Sequence, residues 1–282
     1  MSDHDSLQNS LQHSPLGKTS AYRTDYAPEL LFPIPRQGKR AEIGVDDAAL
    51  PFVGEDIWNA YELSWLDLRG KPMVALGEFR VPADSPCLIE SKSLKLYLNS
   101  FNQTRMEDRD RVAERIAQDL SKAAGAPVTV QLRRLAQGRS LVAPLAGICL
   151  DELELDIDCY QPAPGLLRAD PLHECEDELL YSHLLKSNCL VTGQPDWGAV
   201  YVSYSGPLID REGLLRYIVS FREHNEFHEQ CVERIFCDLL RQCAPRELMV
   251  WARYTRRGGL DINPCRATPG LALAGNVFEV RQ

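Results

Sequence analysis

The sequence lacks several features that would place it in a familiar class. It has no apolar run long enough to cross a bilayer, and its first residues are polar and acidic, where a signal peptide has a basic start and an apolar core. It contains no Gly-x-Gly-x-x-Gly motif, which argues against a Rossmann domain. None of the nine cysteines forms a Cys-x-x-Cys pair, so neither a disulfide framework nor a four-cysteine zinc site is expected. These absences predict a cytoplasmic protein with free thiols and no membrane partner.

The charge balance narrows the classes of partner. The 282 residues include 31 Lys and Arg against 40 Asp and Glu, a formal net charge of -9. Because nonspecific binding to nucleic acid comes chiefly from neutralising phosphates, this chain is not expected to bind nucleic acid directly. Arg253, Arg256 and Arg257, around the Gly258-Gly259 pair, leave an RNA-binding module as an alternative, although no further basic cluster supports it.

An internal repeat runs through the chain. Three pairs of segments match in register at offsets of 119 or 120 residues: 94–101 with 214–221, 114–120 with 233–239, and 130–133 with 250–253. Three matches in register favour two related halves. Two amphipathic helices of similar pattern are the alternative explanation.

Hydrophobic spacing predicts an α+β fold with antiparallel sheets, because strands are grouped on either side of paired helices and do not alternate strictly with single helices. The predicted helices include 94–101, 111–124 and 227–243. The predicted strands include 74–81, 128–134, 153–159, 184–192, 199–204 and 248–254.

Composition predicts the domain organisation. We expect a loose tail at residues 1–25, a first repeat at 26–160 and a second repeat at 171–282. Residues 161–170, rich in Pro, Gly and Ala, are the predicted linker between the two repeats.

The segment KSNCLVTGQPDWG, residues 186–198, places a thiol and a carboxylic acid on either side of a tight turn. Gly193 and Pro195 interrupt the strand that carries Cys189, and a second strand follows Asp196. A thiolate is a strong nucleophile, and a nearby acid can protonate the group that the sulfur attacks. Cys189 and Asp196 are therefore candidates for covalent catalysis. A buried, unreactive cysteine and a turn aspartate are the alternative interpretation.

Four segments together resemble one enzyme family. They are ESKSLKLY at 90–97, the turn from Cys189 to Asp196, the Phe227-His228-Glu229 run and RRGG at 256–259. Over residues 26–266 the chain is similar to the NADPH-dependent 7-cyano-7-deazaguanine reductases, the nitrile reductases of queuosine biosynthesis, in their longer two-domain branch. Cys265 departs from the family pattern, which has an aromatic residue there.

The resemblance implies a fold and an assembly. Members of this branch consist of tandem tunnelling-fold (T-fold) domains, whose antiparallel sheets are backed by paired helices and associate edge to edge. Because exposed sheet edges are normally closed by a neighbour and each chain already carries two domains, a homodimer is expected.

The resemblance also implies a covalent mechanism. Cys189 would attack the nitrile carbon to give a thioimide, and Asp196 would protonate the nitrogen, with a pKa raised by burial beside Trp197. His228 would assist proton movement. Two NADPH molecules would reduce the thioimide, by way of an imine, to the primary amine. A hydrogen-bonded structural histidine at a helix start is the alternative for His228.

The binding residues follow from the same resemblance. Those for the 7-deazaguanine substrate are Ile89, Glu90, Ser91, Phe227, His228 and Glu229. Glu229 would accept two hydrogen bonds from the guanine-like edge, and Phe227 would stack on the ring. Those for NADPH are Ser91, Lys92, Arg257 and Gly258. Apart from the resemblance, Glu90 and Glu229 are typical helix-start carboxylates. Because both repeats contribute, we expect the site where the halves meet, within one chain or between subunits.

A zinc enzyme acting on a pterin precursor is the alternative from a different class. His224 and His228 are four residues apart, a spacing that can share a helix face, and Cys189 or Cys231 would be a third ligand. The helix is expected to begin after Glu226, however, which would leave His224 in a loop. Metal analysis of the purified protein distinguishes the two classes.

Overall fold

The structure, a computed structural model, describes residues 23–135 and 147–282. The strands in chain order are β1 (Pro33–Pro35), β2 (Val53–Leu66), β3 (Pro72–Pro82), β4 (Cys87–Ile89), β5 (Thr129–Arg133), β6 (Ile148–Cys149), β7 (Ala169–Ser182), β8 (Lys186–Asn188), β9 (Pro195–Ile209), β10 (Glu247–Tyr254) and β11 (Leu260–Ala267). The helices are α1 (Gln37–Glu42), α2 (Ser91–Asn99), α3 (Arg109–Ala124), α4 (Arg211–Ser220) and α5 (His228–Cys243). Single 3-10 turns occur at Pro28–Leu30, Pro164–Leu166 and Phe221–Glu223. The predicted α+β class with antiparallel sheets is confirmed.

The described residues fall into two compact units. The first takes in residues 23–49, 55–135 and 256–261, and the second takes in 50–54, 147–255 and 262–282. Residues 256–261 therefore pack with the first unit, although they follow most of the second unit in the sequence. Of the predicted tail, residues 1–22 lie outside the described residues.

The first unit has a three-stranded antiparallel sheet in which β3 pairs with both β2 and β5. Helix α3 packs against β5. It begins where the Asp108 side chain accepts a hydrogen bond from the Arg111 amide at 2.8 Å, and it ends at Gly125, whose φ of 74° suits a residue without a side chain. Its buried side chains recur every four residues and form one apolar stripe: Val112, Ile116, Leu120 and Ala124.

The second unit is centred on β9, which pairs antiparallel with β7 on one side and β10 on the other. β10 also pairs with β11, β6 adds to β7 in parallel, and the short β8 pairs with the beginning of β9. Helix α5 packs against β10 through an apolar stripe that includes Val232, Ile235 and Leu239, all fully buried. No helix within residues 23–135 and 147–282 is long and apolar enough to span a membrane.

The two predicted repeats share individual hydrogen bonds. In the first unit the Tyr97 hydroxyl donates to Asp119 Oδ2 at 2.6 Å, and in the second unit Tyr217 donates to Asp238 Oδ2 at the same distance. Each tyrosine lies three residues before a serine whose hydroxyl donates to the tyrosine carbonyl at 2.6 Å. Each also meets a phenylalanine edge-on with ring centroids 5.3 Å apart. Shared contacts of this kind are not expected of two helices that merely have similar patterns.

The repeat also extends further than the sequence comparison found. Ala27 and Ala163 each precede a Pro-x-Leu turn, and their amides donate to Ser100 Oγ and Ser220 Oγ at 3.1 and 3.3 Å. The segment 161–170, predicted as a linker, thus contains this turn and the first residues of β7. The offset of this pair differs from 120, so a search at a fixed offset misses it.

Two strand predictions were wrong. Residues 153–159 form no strand. Their side chains alternate between partly buried and exposed, as in a strand, but among the described residues no other strand pairs with this segment. Of residues 184–192, only β8 is a strand. The chain turns at Cys189, where the Cys189 amide donates to the Gln194 carbonyl at 2.9 Å and Gly193 adopts a φ of 65°.

Candidate active site

The β8–β9 hairpin holds Cys189 and Asp196 on either side of its turn, as the sequence predicts. In its register Ser187 lies opposite Asp196, and Asn188 lies opposite Pro195. Cys189 comes directly after β8, and its carbonyl accepts a hydrogen bond from the Gly193 amide at 3.0 Å. The Cys189 side chain is partly exposed, so a small electrophile can reach the thiol. The turn therefore fixes the backbone on both sides of the thiol.

Asp196 is buried, but Trp197 is not what buries it. Asp196 is 3% exposed, whereas Trp197 is 41% exposed, since neighbouring residues of a strand point to opposite faces. The Trp197 ring instead lies beside Arg222, whose guanidinium is 5.6 Å from the ring centroid. Asp196 is buried as predicted, but the prediction that Trp197 buries it was wrong.

The loop before α5 is tied to β8 through the backbone. The Asn188 amide donates to the His224 carbonyl at 2.8 Å, and the Glu226 amide donates to the Asn188 carbonyl at 3.0 Å. Asn188 immediately precedes Cys189, and Glu226 precedes the Phe227-His228-Glu229 run. These bonds bring the thiol and the beginning of α5 together.

His228 contacts both Asp196 and β10. Its Nε2 lies 3.6 Å from Asp196 Oδ1, and its ring meets that of Tyr254 edge-on at a centroid distance of 4.0 Å. Burial raises the pKa of Tyr254 well above its usual value, so this hydroxyl keeps its proton. A carboxyl and an imidazole at this separation can exchange a proton after a small movement.

A buried ion pair that sequence reasoning missed supports this loop. Arg234 donates to Glu226 through Nε at 3.0 Å and Nη2 at 2.7 Å, and His224 Nε2 lies 3.0 Å from the same carboxylate. Burial by itself would raise the pKa of Glu226, but the bonds from His224 and Arg234 outweigh it and lower the pKa to about 2. Glu226 therefore stays ionised at neutral pH and anchors the loop to α5.

Phe227 and Glu229 flank His228 at the start of α5. Phe227 is the residue that precedes the helix and is partly exposed, while Glu229 in the first turn is 2% exposed. A carboxylate is favoured at this end by the helix dipole. The structure thus places a buried carboxylate and an accessible aromatic face on either side of His228, within the same unit as Cys189.

Glu90 has a structural role at the start of α2. Its two carboxylate oxygens accept hydrogen bonds from the Lys92 and Ser93 amides, each at 2.7 Å, and its side chain is fully buried. Burial raises the pKa of Glu90, and these two bonds only partly offset the rise. Each oxygen retains a second lone pair, so the cap leaves Glu90 able to accept a bond from a ligand.

The residues predicted for the cofactor lie together in the first unit. Ser91 and Lys92 open α2, while Arg257 and Gly258 follow β10. A Cβ on Gly258 would be 3.4 Å from the Lys95 Nζ, which places Lys95 beside this group. Lys95 was not singled out from the sequence, although its position one turn after Lys92 was the available signal. Lys92, Lys95 and Arg257 are cations of the kind that suits a phosphate.

The histidines considered for zinc do not share a helix face. His224 lies in the loop, paired with Glu226, and His228 is the first residue of α5. Burial raises the pKa of the Cys231 thiol well above its usual value, which disfavours the thiolate that a metal needs. Within residues 23–135 and 147–282, no cluster of metal-binding side chains includes any of these residues.

Comparisons with known proteins match the whole chain. Residues 22–132 match the family model described as nitrile reductase, 7-cyano-7-deazaguanine-reductase N-term, and residues 195–270 match the model described as QueF-like protein. The NADPH-dependent 7-cyano-7-deazaguanine reductases of Azoarcus sp. (strain BH72) and Aromatoleum aromaticum are 63% and 61% identical over 283 residues, with 100% of each chain covered. The NADPH-dependent 7-cyano-7-deazaguanine reductase of Chromobacterium violaceum is 61% identical over 272 residues, which cover 96% of this chain and 97% of the relative.

Proposed function

Because the chain belongs to the family of NADPH-dependent 7-cyano-7-deazaguanine reductases, we propose that it reduces the nitrile of 7-cyano-7-deazaguanine to a primary amine with NADPH, in queuosine biosynthesis. The observation that carries this proposal is a hairpin with Cys189 and Asp196 on either side of its turn, in which Asp196 lies 3.6 Å from His228 at the start of α5. A reactive thiol, an acid and an imidazole are the groups that addition to a nitrile requires.

Cys189 forms the covalent intermediate. Its thiolate adds to the nitrile carbon, a carbon–sulfur bond forms, and one π bond of the nitrile breaks as the nitrogen takes up a proton. The product is a thioimide. The accessible position of Cys189 at the turn supports this role, in contrast to the fully buried Cys231.

Asp196 and His228 move the protons. Asp196 is nearly excluded from water, whereas the His228 side chain, 3.6 Å from that carboxyl, is 15% exposed. Asp196 donates the first proton to the nitrile nitrogen, and His228 resupplies it. This division follows from their exposure, because the more accessible group exchanges protons with water more readily.

The resemblance to the family assigns the substrate-binding residues. Glu229 accepts two parallel hydrogen bonds from the ring N–H and exocyclic amine, while Phe227 stacks on the ring face. Glu90 accepts a further donor of the ring, and the backbone at Ile89 and Ser91 completes the recognition. The burial of both carboxylates supports this role, since a ligand donor bound there replaces water.

NADPH is held by Ser91, Lys92, Arg257 and Gly258, with Lys95 beside them. The cations fit the 2′-phosphate of the cofactor. When bound, NADPH supplies hydride, and two molecules are consumed for each nitrile reduced. Cys189 leaves as a thiolate between the two reductions, which regenerates the nucleophile.

The fold and assembly proposed are those of tandem T-fold domains in a cytoplasmic homodimer, with the domain boundaries given above. The sheet-and-paired-helix content of each unit supports this. Light scattering at micromolar concentration should give twice the chain mass, and a fully active monomer would contradict the assembly.

The activity is tested by following NADPH oxidation through its near-ultraviolet absorbance when 7-cyano-7-deazaguanine is added. Wild type and Cys159→Ala, a matched thiol outside the site, should consume two NADPH per nitrile. Cys189→Ala should be inactive, and Asp196→Asn should be severely slowed. Normal turnover in Cys189→Ala would refute the mechanism.

A further inference from the structure

Three side chains that commonly bind metals meet outside the candidate active site. One potential ligand atom from each of Cys149, Asp151 and His183 lies within 4.8 Å of the others. All three belong to the second unit, and none has a role in nitrile reduction. Within residues 23–135 and 147–282, this is the only cluster of its kind.

The backbone holds this cluster in place. Cys149 pairs in parallel register with Tyr181, and the Leu150 amide donates to the Tyr181 carbonyl at 2.9 Å. Asp151 accepts hydrogen bonds from Ser182 Oγ at 2.6 Å and from the His183 amide at 3.0 Å. The His183 amide also donates to Oδ1 at 3.3 Å, so Oδ2 is the carboxylate oxygen that keeps a further lone pair. The strand pairing thus brings a thiol, a carboxylate and an imidazole to one point, where the thiol also makes a hydrogen bond with the Tyr181 side chain.

A buried carboxylate aimed at His183 is the second observation. The Glu279 side chain is 3% exposed, and its Oε1 lies 3.2 Å from His183 Nδ1. In the described part of the chain, neither atom makes a hydrogen bond of good geometry. The other oxygen, Oε2, accepts from the Arg281 amide at 2.8 Å, and the Arg281 Nε is 3.5 Å away. In metal sites, a histidine ligand is commonly oriented by a carboxylate on its second ring nitrogen.

We propose that Cys149, Asp151 and His183 bind a zinc ion, with Glu279 orienting His183. The combination of sulfur, oxygen and nitrogen favours zinc, because thiolate and imidazole are poor ligands for magnesium or calcium. Water fills the fourth position. The ion links β6 to the end of β7 and, through Glu279, to the C-terminal segment. Zinc binding at this site adds to folding stability, since the ligands come together only in the folded chain.

Cobalt(II) tests the site, because a thiolate ligand gives a sulfur-to-cobalt charge-transfer band in the near ultraviolet. Metal-free protein titrated with cobalt should bind about one ion per chain and develop this band. Cys149→Ser and His183→Ala should abolish it. The controls are Cys159→Ser and His173→Ala, matched residues outside the cluster, and both should keep it. Far-ultraviolet circular dichroism confirms that each variant is folded.

Zinc itself gives the second measurement. Zinc should raise the Tm of wild type and of Cys159→Ser but leave that of Cys149→Ser unchanged, and Glu279→Gln should weaken zinc binding by about tenfold to a hundredfold. The proposal is overturned if wild type shows no charge-transfer band, or if the band survives Cys149→Ser. It is also overturned if the band is lost only in Cys189→Ala. Nitrile reduction can proceed in any of these cases, so failure here does not bear on the proposed function.

Discussion

The buried Glu226 carboxylate should make folding stability depend on pH. Its pKa is lowered from 4.5 to about 2 because His224 and Arg234 donate hydrogen bonds to it in the folded protein. A carboxylate with a lowered folded-state pKa stabilises the fold above its unfolded pKa, and that stabilisation is lost as the pH falls through the folded-state value. We expect Glu226 to stabilise the protein fully above about pH 4.5 and to lose this effect between about pH 4.5 and pH 2.

The size of the effect follows from the shift. At about 1.4 kcal/mol per pKa unit, the lowering corresponds to about 3 kcal/mol at neutral pH. No large discount for solvent screening applies, since the side chain is 1% exposed. Glu226→Gln should therefore reduce the free energy of unfolding by about 3 kcal/mol at pH 7, because it leaves Arg234, whose side chain is 18% exposed, without its charged partner.

Urea unfolding at several pH values measures this difference. Near pH 2 the wild-type carboxyl is increasingly protonated and resembles the glutamine, so the gap between wild type and Glu226→Gln should narrow steadily. Glu223→Gln, an exposed glutamate three residues earlier, is the matched control and should differ from wild type by less than about 0.5 kcal/mol at every pH. A gap that is the same at pH 3 and pH 7, or is absent at pH 7, would refute the reasoning.

Three further outcomes follow from the contacts of the site and of the repeat. Glu229→Ala should weaken nitrile capture by a few kcal/mol and leave NADPH binding unchanged, whereas Lys92→Ala should weaken NADPH binding and leave nitrile capture unchanged. Separate titrations with nitrile and with NADPH measure both affinities in each variant, and a loss of NADPH affinity in Glu229→Ala without a loss of nitrile capture would contradict the assigned roles. Tyr254→Phe keeps the ring against His228 and should keep most of kcat, whereas Tyr254→Ala should lose it; equal losses in the two variants would rule out ring packing as the cause. Tyr217→Phe should lower the free energy of unfolding by about 1 to 3 kcal/mol in urea, because it removes a fully buried hydrogen bond; no change would mean that the bond contributes nothing.

The features predictable from sequence were those set by local pattern. The turn between Cys189 and Asp196 follows from Gly193 and Pro195, and the helices follow from apolar spacing. The repeat was readable because Tyr97 and Tyr217 keep the same partners at nearly the same offset. In each case, residues close in sequence or a constant spacing carried the information.

The features missed depend on contacts between distant residues or on a neighbouring strand. Glu226 and Arg234 are eight residues apart across a helix start, where no local rule predicts an ion pair. Residues 153–159 have the alternation of a strand, but a strand also needs a partner, which the sequence of one segment cannot reveal. Trp197 was placed beside Asp196 because they are adjacent, although strand geometry turns them to opposite faces.

The covalent role of Cys189 can be measured directly by mass spectrometry of intact protein mixed with 7-cyano-7-deazaguanine in the absence of NADPH. Wild type should gain the mass of one nitrile, and peptide mapping should locate it on Cys189. Cys189→Ala should gain nothing, and adding NADPH should remove the adduct from wild type as the amine is released. An adduct on another cysteine, or turnover without any adduct in wild type, would contradict the mechanism.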